Sequence, residues 1–283
     1  MKTPRKEFFM NELELLRRHG FTFDKAKGQN FLVNPGVAPR MAAMCGADTS
    51  CGVLEIGPGA GVLTRALAGV AGRVVAVELD ERLLPVLEET LAGLDNVTIT
   101  QGDILALDLR ALIDDCFGDM PVHVCANLPY YITSPIVMRL LESRLPFAGI
   151  TVMVQKEAAE RLCTPMGTRA CGAVTAAVRY YAEPRMLFPV SRGSFYPVPN
   201  VDSVVLRLTP HPAPPFAVDE AAFFRVVRAA FNQRRKTAAN ALSAGLGMEK
   251  PRVLAAMARA GIGANARAEN ITLEEYAKLV NEL

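Results

Sequence analysis

The sequence is poor in the residues that build metal and disulfide frameworks. It has three histidines, and its six cysteines (45, 51, 116, 125, 163 and 171) include no CxxC pair. No zinc site, other metal site or disulfide scaffold is therefore expected, and the thiols read as reduced ones in a cytoplasm. A membrane segment is also missing. The longest stretch without a charged side chain, Met120 to Met138, is broken by Pro121, Pro129 and Pro135 and carries His123 and Asn127, which makes it a poor spanning helix. The first twenty residues are charged throughout and hold no apolar core of a signal peptide. No internal repeat is present. What is there fits a globular chain: 51% of residues are apolar and 21% charged, which excludes a disordered protein. Its 283 residues suffice for one or two domains with a real core.

The formal charge of +2 hides an uneven distribution. Residues 1–28 carry +3, 29–138 carry −8, 139–210 carry +4 and 211–283 carry +3. An acidic block between basic ones is the pattern of a polyanionic partner that touches only part of the surface. Weakly basic ends also arise without such a partner, so the pattern alone decides nothing.

Apolar strand-like runs alternate with helical patterns through the first two thirds of the chain. Gly52–Ile56 precedes Val62–Leu67 at helical spacing, and Arg73–Leu79 precedes Leu83, Leu84, Leu87 and Leu91. Val97–Thr100 leads into Gly102-Asp103, Val122–Ala126 into Asn127, and Ile150–Val154 into a helix over Lys156–Leu162. Strict alternation predicts a parallel sheet covered on both faces. Ser203–Leu208 then reads as a late strand, plausibly antiparallel. From Pro210 to Pro215 four of six residues are proline, a stiff linker. Beyond it the pattern is helical only, opening at an Asp219 N-cap and ending in a helix that Thr272 and Glu275 start as a capping box. The predicted organisation is a basic, mobile N-terminal segment over 1–27, an α/β domain over 28–209, and a small all-helical C-terminal domain over 219–283.

Four strand ends carry chemistry. Val53-Leu-Glu-Ile-Gly57-Pro-Gly59-Ala-Gly61 is a strand entering a glycine turn that opens a helix, where a ligand can approach backbone N–H groups. Its GxGxG spacing differs from the GxGxxG of dinucleotide enzymes, so the third glycine is not where a nicotinamide enzyme would want it. Glu78, 21 residues after Gly57, stands at the tip of the next strand, where a carboxylate can accept from both ribose hydroxyls; an ordinary solvated strand end would look the same. Asp103 closes the third strand and suits an adenine amino group, or equally a turn. Asn127-Leu-Pro-Tyr130 is the most specific segment. An aromatic amine is a poor nucleophile, and an amide oxygen at Asn127 with the Pro129 carbonyl would accept from its N–H groups and aim its lone pair. Tyr130 offers a face on which a flipped base can stack.

With these residues in place the chain resembles the KsgA-type ribosomal RNA small-subunit adenine N6,N6-dimethyltransferases, which use S-adenosylmethionine. The resemblance runs through Gly28-Gln-Asn30-Phe-Leu32, Glu55-Ile-Gly57-Pro-Gly59-Ala-Gly61, Val77-Glu78-Leu-Asp80, Gly102-Asp103, Asn127-Leu-Pro-Tyr130, Gln155-Lys-Glu157 and Phe195-Tyr-Pro197-Val-Pro199-Asn-Val-Asp-Ser203, in the family's order. It implies a Rossmann-like methyltransferase domain. Asn30 and Leu32 would line the methionine end of the donor, Gly57 its backbone, Glu78 the ribose and Asp103 the adenine. Asn127 would lie between donor and target, and Phe195 would cover the flipped adenine opposite Tyr130. The implied reaction is dimethylation of two adjacent adenosines near the 3′ end of 16S rRNA, within immature 30S subunits, by a monomeric cytoplasmic enzyme. Arg225, Arg228, Arg234, Arg235 and Lys236, a run with no acid among them, would then contact phosphates rather than form a solvated helix face. The rivals are a large-subunit (23S) adenine methylase of the macrolide-resistance type, a non-catalytic ribosome-assembly factor and, more distantly, a nicotinamide oxidoreductase.

Overall fold

The computed structural model describes residues 7–22 and 29–283, with no side-chain detail before residue 13. From the N-terminus the elements are α1 (Glu7–Arg18), β1 (Phe31–Leu32), α2 (Val37–Met44), β2 (Gly52–Ile56), α3 (Val62–Ala68), β3 (Arg73–Glu78), α4 (Leu84–Thr90), β4 (Val97–Gln101), α5 (Leu109–Phe117), β5 (Val122–Asn127), α6 (Thr133–Glu142) and β6 (Phe147–Gln155). They continue with α7 (Lys156–Cys163), α8 (Ala173–Tyr181), β7 (Ala182–Val190), β8 (Phe195–Tyr196), β9 (Ser203–Pro210), α9 (Glu220–Phe231), α10 (Ala238–Leu246), α11 (Lys250–Arg259) and α12 (Leu273–Glu282).

The expected alternation builds one seven-stranded sheet in the order β4-β3-β2-β5-β6-β9-β7. Strands β4, β3, β2, β5 and β6 are parallel, and β9 runs antiparallel to β6, pairing Ile150 with Leu208 and Gln155 with Ser203. All of β2, and all of β3 after Arg73, is buried, as continuous apolar strands of a covered parallel sheet must be. Strand β7 was not visible in the sequence, because Pro184 and Pro189 interrupt its alternation. A separate two-stranded pairing joins β1 to β8, with Phe31 opposite Tyr196 and Leu32 opposite Phe195.

The N-terminal segment departs from the expected mobile arm where it is described. Leu15, Leu16 and Phe21 are buried in one cluster with Phe31, Leu83, Val86 and Leu87, and Arg18 and His19 both reach the Glu89 carboxylate, at 2.6 and 3.0 Å. An apolar helix face with a partner folds onto it. Residues 1–6 and 23–28, including Gly28, lie outside the described residues.

The division into compact units also differs from the sequence reading. One unit comprises Met1–Ala159 with Arg185–Pro210, the other Glu160–Pro184 with His211–Leu283. The second unit resumes at His211, within the proline-rich stretch, and it also takes in α8 and the latter half of α7 from within the stretch assigned to the α/β domain. The reason is aromatic packing. Tyr180 lies 4.8 Å from Phe223 and 5.0 Å from Phe224, and Tyr181 stacks on Phe224 at 5.3 Å. Phe216 of the proline-rich segment joins Tyr180 at 6.4 Å, so that segment is docked rather than free. Asp219 caps α9 by accepting from the Ala222 N–H, and the Thr272–Glu275 capping box of α12 is formed in both directions.

Candidate functional site

The carboxyl ends of β2, β3, β4 and β5 open onto one cleft of the α/β unit. Asn30, Leu32, Gly57, Glu78, Asp103, Asn127, Pro129 and Tyr130 all border it. Segments up to a hundred residues apart in sequence are thus brought to one place, which is where ligands bind in open parallel sheets.

Gly57, Gly59 and Gly61 all have left-handed backbone, with φ of +68°, +61° and +85°. Their reasons for being glycine differ. A Cβ on Gly57 would meet no atom within 4 Å and would project into open space, whereas one on Gly61 would press on Thr90, Leu91 and Leu87. The first glycine leaves room for a ligand; the last lets α3 approach α4.

Glu78 closes the turn from the next strand. Its Oε2 accepts from the Gly59 N–H at 3.2 Å and its Oε1 from the Asp80 N–H at 2.8 Å. Burial raises its pKa, against the pull of these two bonds. Each oxygen keeps a lone pair for a further donor. Asp80 is held well below the usual carboxylate range by the Arg82 guanidinium, and it also accepts from the Gln29 amide at 3.0 Å. Asp103 is exposed; its Oδ1 takes the Leu105 N–H at 2.9 Å, so it serves the turn and still borders the cleft.

Sequence reasoning missed Glu55. Its side chain is 1% exposed, it borders the cleft, and its Oε2 has no hydrogen-bond partner among the described residues. Burial pushes its carboxyl up to about 8, the Thr64 hydroxyl pulls the other way, and the Glu78 carboxylate adds repulsion. An acidic residue inside an apolar strand, VLEI, was the signal available. With no ligand bound this carboxyl is uncharged at neutral pH, and a cation placed beside it would favour the ionised form.

At the end of β5 the Asn127 Nδ2 donates to the Asn30 carbonyl at 3.5 Å, which leaves Oδ1 as the acceptor end. The expectation for Pro129 needs correction. Its carbonyl already accepts from the Ile132 N–H at 3.3 Å and the Thr133 hydroxyl at 3.2 Å, because it starts the turn of 3-10 helix at Tyr130–Ile132. Both lone pairs are used. The neighbouring carbonyl, on Leu128, takes no part in that turn, and Leu128 borders the cleft. The Tyr130 hydroxyl is held to Ser203 Oγ at 2.8 Å, and burial keeps the phenol neutral by raising its pKa.

Phe195 does not join the cleft. It is 1% exposed and packs in the core with Leu32, Val37 and Met41, so as placed here its ring offers no face to a base. The β1–β8 pairing nonetheless sets it directly opposite Leu32.

The basic residues belong to the helical unit. Arg225, Arg228, Arg235 and Lys236 are exposed. Arg234 has a structural task, since its guanidinium donates to the carbonyls of Arg169 at 2.8 Å and Cys171 at 3.0 Å.

The family model for ribosomal RNA adenine dimethylases matches residues 20–283. The ribosomal RNA small subunit methyltransferase A of Geobacillus thermodenitrificans is 47% identical over 275 residues, covering 95% of this chain and 94% of that protein. Its namesake from Moorella thermoacetica is 46% identical over 277 residues, 96% of each. Among solved structures, a dimethyladenosine transferase from Plasmodium falciparum matches with a TM-score of 0.74 at 25% identity, covering 88% of this chain and 95% of that one. The 23S rRNA methyltransferase ErmE matches with a TM-score of 0.68 at 29% identity, covering 90% and 99%.

Proposed function

This chain belongs to the ribosomal RNA adenine dimethylase family, and from that premise we propose that it dimethylates N6 of two adjacent adenosines near the 3′ end of 16S rRNA, with S-adenosylmethionine as donor. The observation that carries this reading is the convergence of the glycine turn, Glu78, Asp103 and Asn127 on one cleft at the ends of parallel strands. The cleft fits a cationic nucleoside: space at Gly57, lone pairs at Glu78, and the unpartnered oxygen of buried Glu55.

Glu78 would accept from the ribose hydroxyls and Asp103 from the adenine amino group. Asn30 and Leu32 would border the methionine end, and Glu55 would stand near its positive charge. S-adenosylmethionine supplies, when bound, a sulfonium methyl already activated for displacement. The chain's part is positioning. Asn127 Oδ1 and the Leu128 carbonyl, in place of Pro129's, accept from the target amine and turn its lone pair toward the methyl. Tyr130, fixed through Ser203, stacks on the base; stacking of this kind is worth about 1–3 kcal/mol. Phe195 supports Leu32 from the core rather than covering the base. The alkylated amine is acidic enough to lose its proton to solvent, so no general base is assigned. Arg225, Arg228, Arg235 and Lys236 contact RNA phosphates.

The substrate is rRNA in immature 30S subunits, and the enzyme acts as a monomer in the cytoplasm, where those subunits mature. Among the described residues no helix is long and apolar enough to cross a membrane. The large-subunit alternative is not favoured: relatives named for the small subunit are 43–47% identical, against 29% for the 23S enzyme. The test is methylation of immature small subunits with labelled donor and mass analysis of the nucleosides. The wild type should yield N6,N6-dimethyladenosine, and Asn127→Ala should lower kcat at least about 100-fold while still binding the subunits. A wild type inert toward all rRNA would overturn the enzyme reading; a fully active Asn127→Ala would remove Asn127 from it.

A further inference from the structure

Among the described residues six large hydrophobic side chains stand exposed: Leu79, Tyr131, Met186, Tyr196, Val198 and Val201. Scattered singly they would need no explanation. They are not scattered. Four of the six fall on two short segments, the Tyr130–Ile132 turn and the loop from Tyr196 to Val201. The Tyr130–Ser203 hydrogen bond ties these segments together at 2.8 Å.

The first segment borders the cleft, and the second adjoins it through one ladder pair. Tyr131 borders it directly while 56% exposed. Tyr196 pairs with Phe31, itself a cleft residue, across the β1–β8 ladder. The chain from Phe195 through Val201 carries no charge. Arg192, a cation beside this loop, donates to the Asn200 carbonyl at 3.3 Å; the exposed apolar groups themselves suit the face of a base.

The substrate imposes a matching requirement. A base drawn into the cleft stays joined to its neighbours by one phosphodiester on each side, so an adjoining base must lie at the cleft's mouth, unstacked from its former partner. Tyr130 and Tyr131 are consecutive and differently placed: the first half-buried and tied, the second exposed. We propose that Tyr131, with the loop that ends at Ser203 beside it, stacks the nucleobase adjoining the target and so holds a pair of adjacent adenosines in register. This deepens the function proposed above and rests on it.

The test compares the full-length wild type, Tyr131→Ala and Tyr131→Phe. The substrate is small subunits with unmethylated rRNA, carrying either the native sequence or an abasic site beside the remaining target adenosine. Loss of one stacked base should raise the wild-type KM about 5- to 150-fold on the abasic substrate. Tyr131→Ala should show a rise of that size on native rRNA and little further rise on the abasic one. Tyr131→Phe should behave as wild type, and donor affinity should be unchanged in all three. A wild-type KM for Tyr131→Ala on native rRNA, or penalties that simply multiply when variant and abasic site are combined, would overturn the inference and leave the enzyme reading intact. A wild type that methylates neither substrate would instead overturn that reading, and this inference with it.

Discussion

Glu55 and Glu78 lie on the neighbouring strands β2 and β3 beside the same cleft, and both carboxyls are pushed upward by burial, but only Glu78 has its oxygens occupied by backbone N–H groups. Folded Glu55 keeps its proton up to about pH 8, whereas the unfolded chain loses it near its ordinary value of 4.5. Between those values the folded state binds more protons, so the protein without ligand should lose stability as pH rises from about 4.5 through about 8. Glu55→Gln should flatten that slope. Urea unfolding from pH 5 to 8.5 checks it, and parallel slopes in the two proteins would show that Glu55 is not the group responsible. Arg234 and Arg235 make a second contrast at this scale. Removing Arg234 frees the Arg169 and Cys171 carbonyls and should cost about 1 kcal/mol. Arg235→Ala should leave the melting temperature alone and reduce the salt slope of RNA binding by about one. Thermal melts beside binding isotherms at several salt concentrations separate the two, and equal melting temperatures would remove the structural role from Arg234.

At the scale of elements, the glycine turn between β2 and α3 was legible because its signal is contiguous and its geometry local. The GxGxG spacing marked the turn, and all three glycines take left-handed φ there. Their separate tasks were not legible, since they depend on what α4 presents to Gly61 and on the empty space beside Gly57. Gly57→Ala should therefore weaken donor binding at least about tenfold while costing only the strain of an alanine at positive φ, about 1 kcal/mol. Calorimetric titration with S-adenosylmethionine, paired with a melt of the unliganded variant, checks it; unchanged affinity would mean that no ligand approaches that backbone. The turn after Asn127 shows the opposite case. Pro129 was read as a free acceptor from its place in N-L-P-Y, and a 3-10 turn closed by Ile132 and Thr133 engaged its carbonyl instead.

At the scale of the molecule, the two units sort the charge. The helical unit carries 13 basic and 9 acidic side chains, a net +4, and the α/β unit 18 and 20, a net −2. The near-neutral total is the sum of a part suited to a polyanion and a part suited to a cation. The division also makes a prediction about truncation. A chain ending at Pro210 keeps α8 but loses Phe223 and Phe224, leaving Tyr180 and Tyr181 unpacked. It should bind a hydrophobic dye and unfold with reduced cooperativity, measured against the full chain. Sharp two-state unfolding without dye binding would mean that α8 does not need the C-terminal helices. By itself the sequence determined the parallel sheet, the strand-end motifs that border the cleft, and the capped C-terminal helices. Each of those is written in residues adjacent along the chain, where periodicity, turns and caps act. Only the tertiary structure decided that Phe195 is core while Tyr131 is exposed, that Glu55 lies orphaned beside the cleft, and that α8 belongs with the C-terminal helices. Those outcomes turn on pairings such as Leu32 with Phe195 and Tyr180 with Phe223, across separations at which no local pattern says which apolar face meets which.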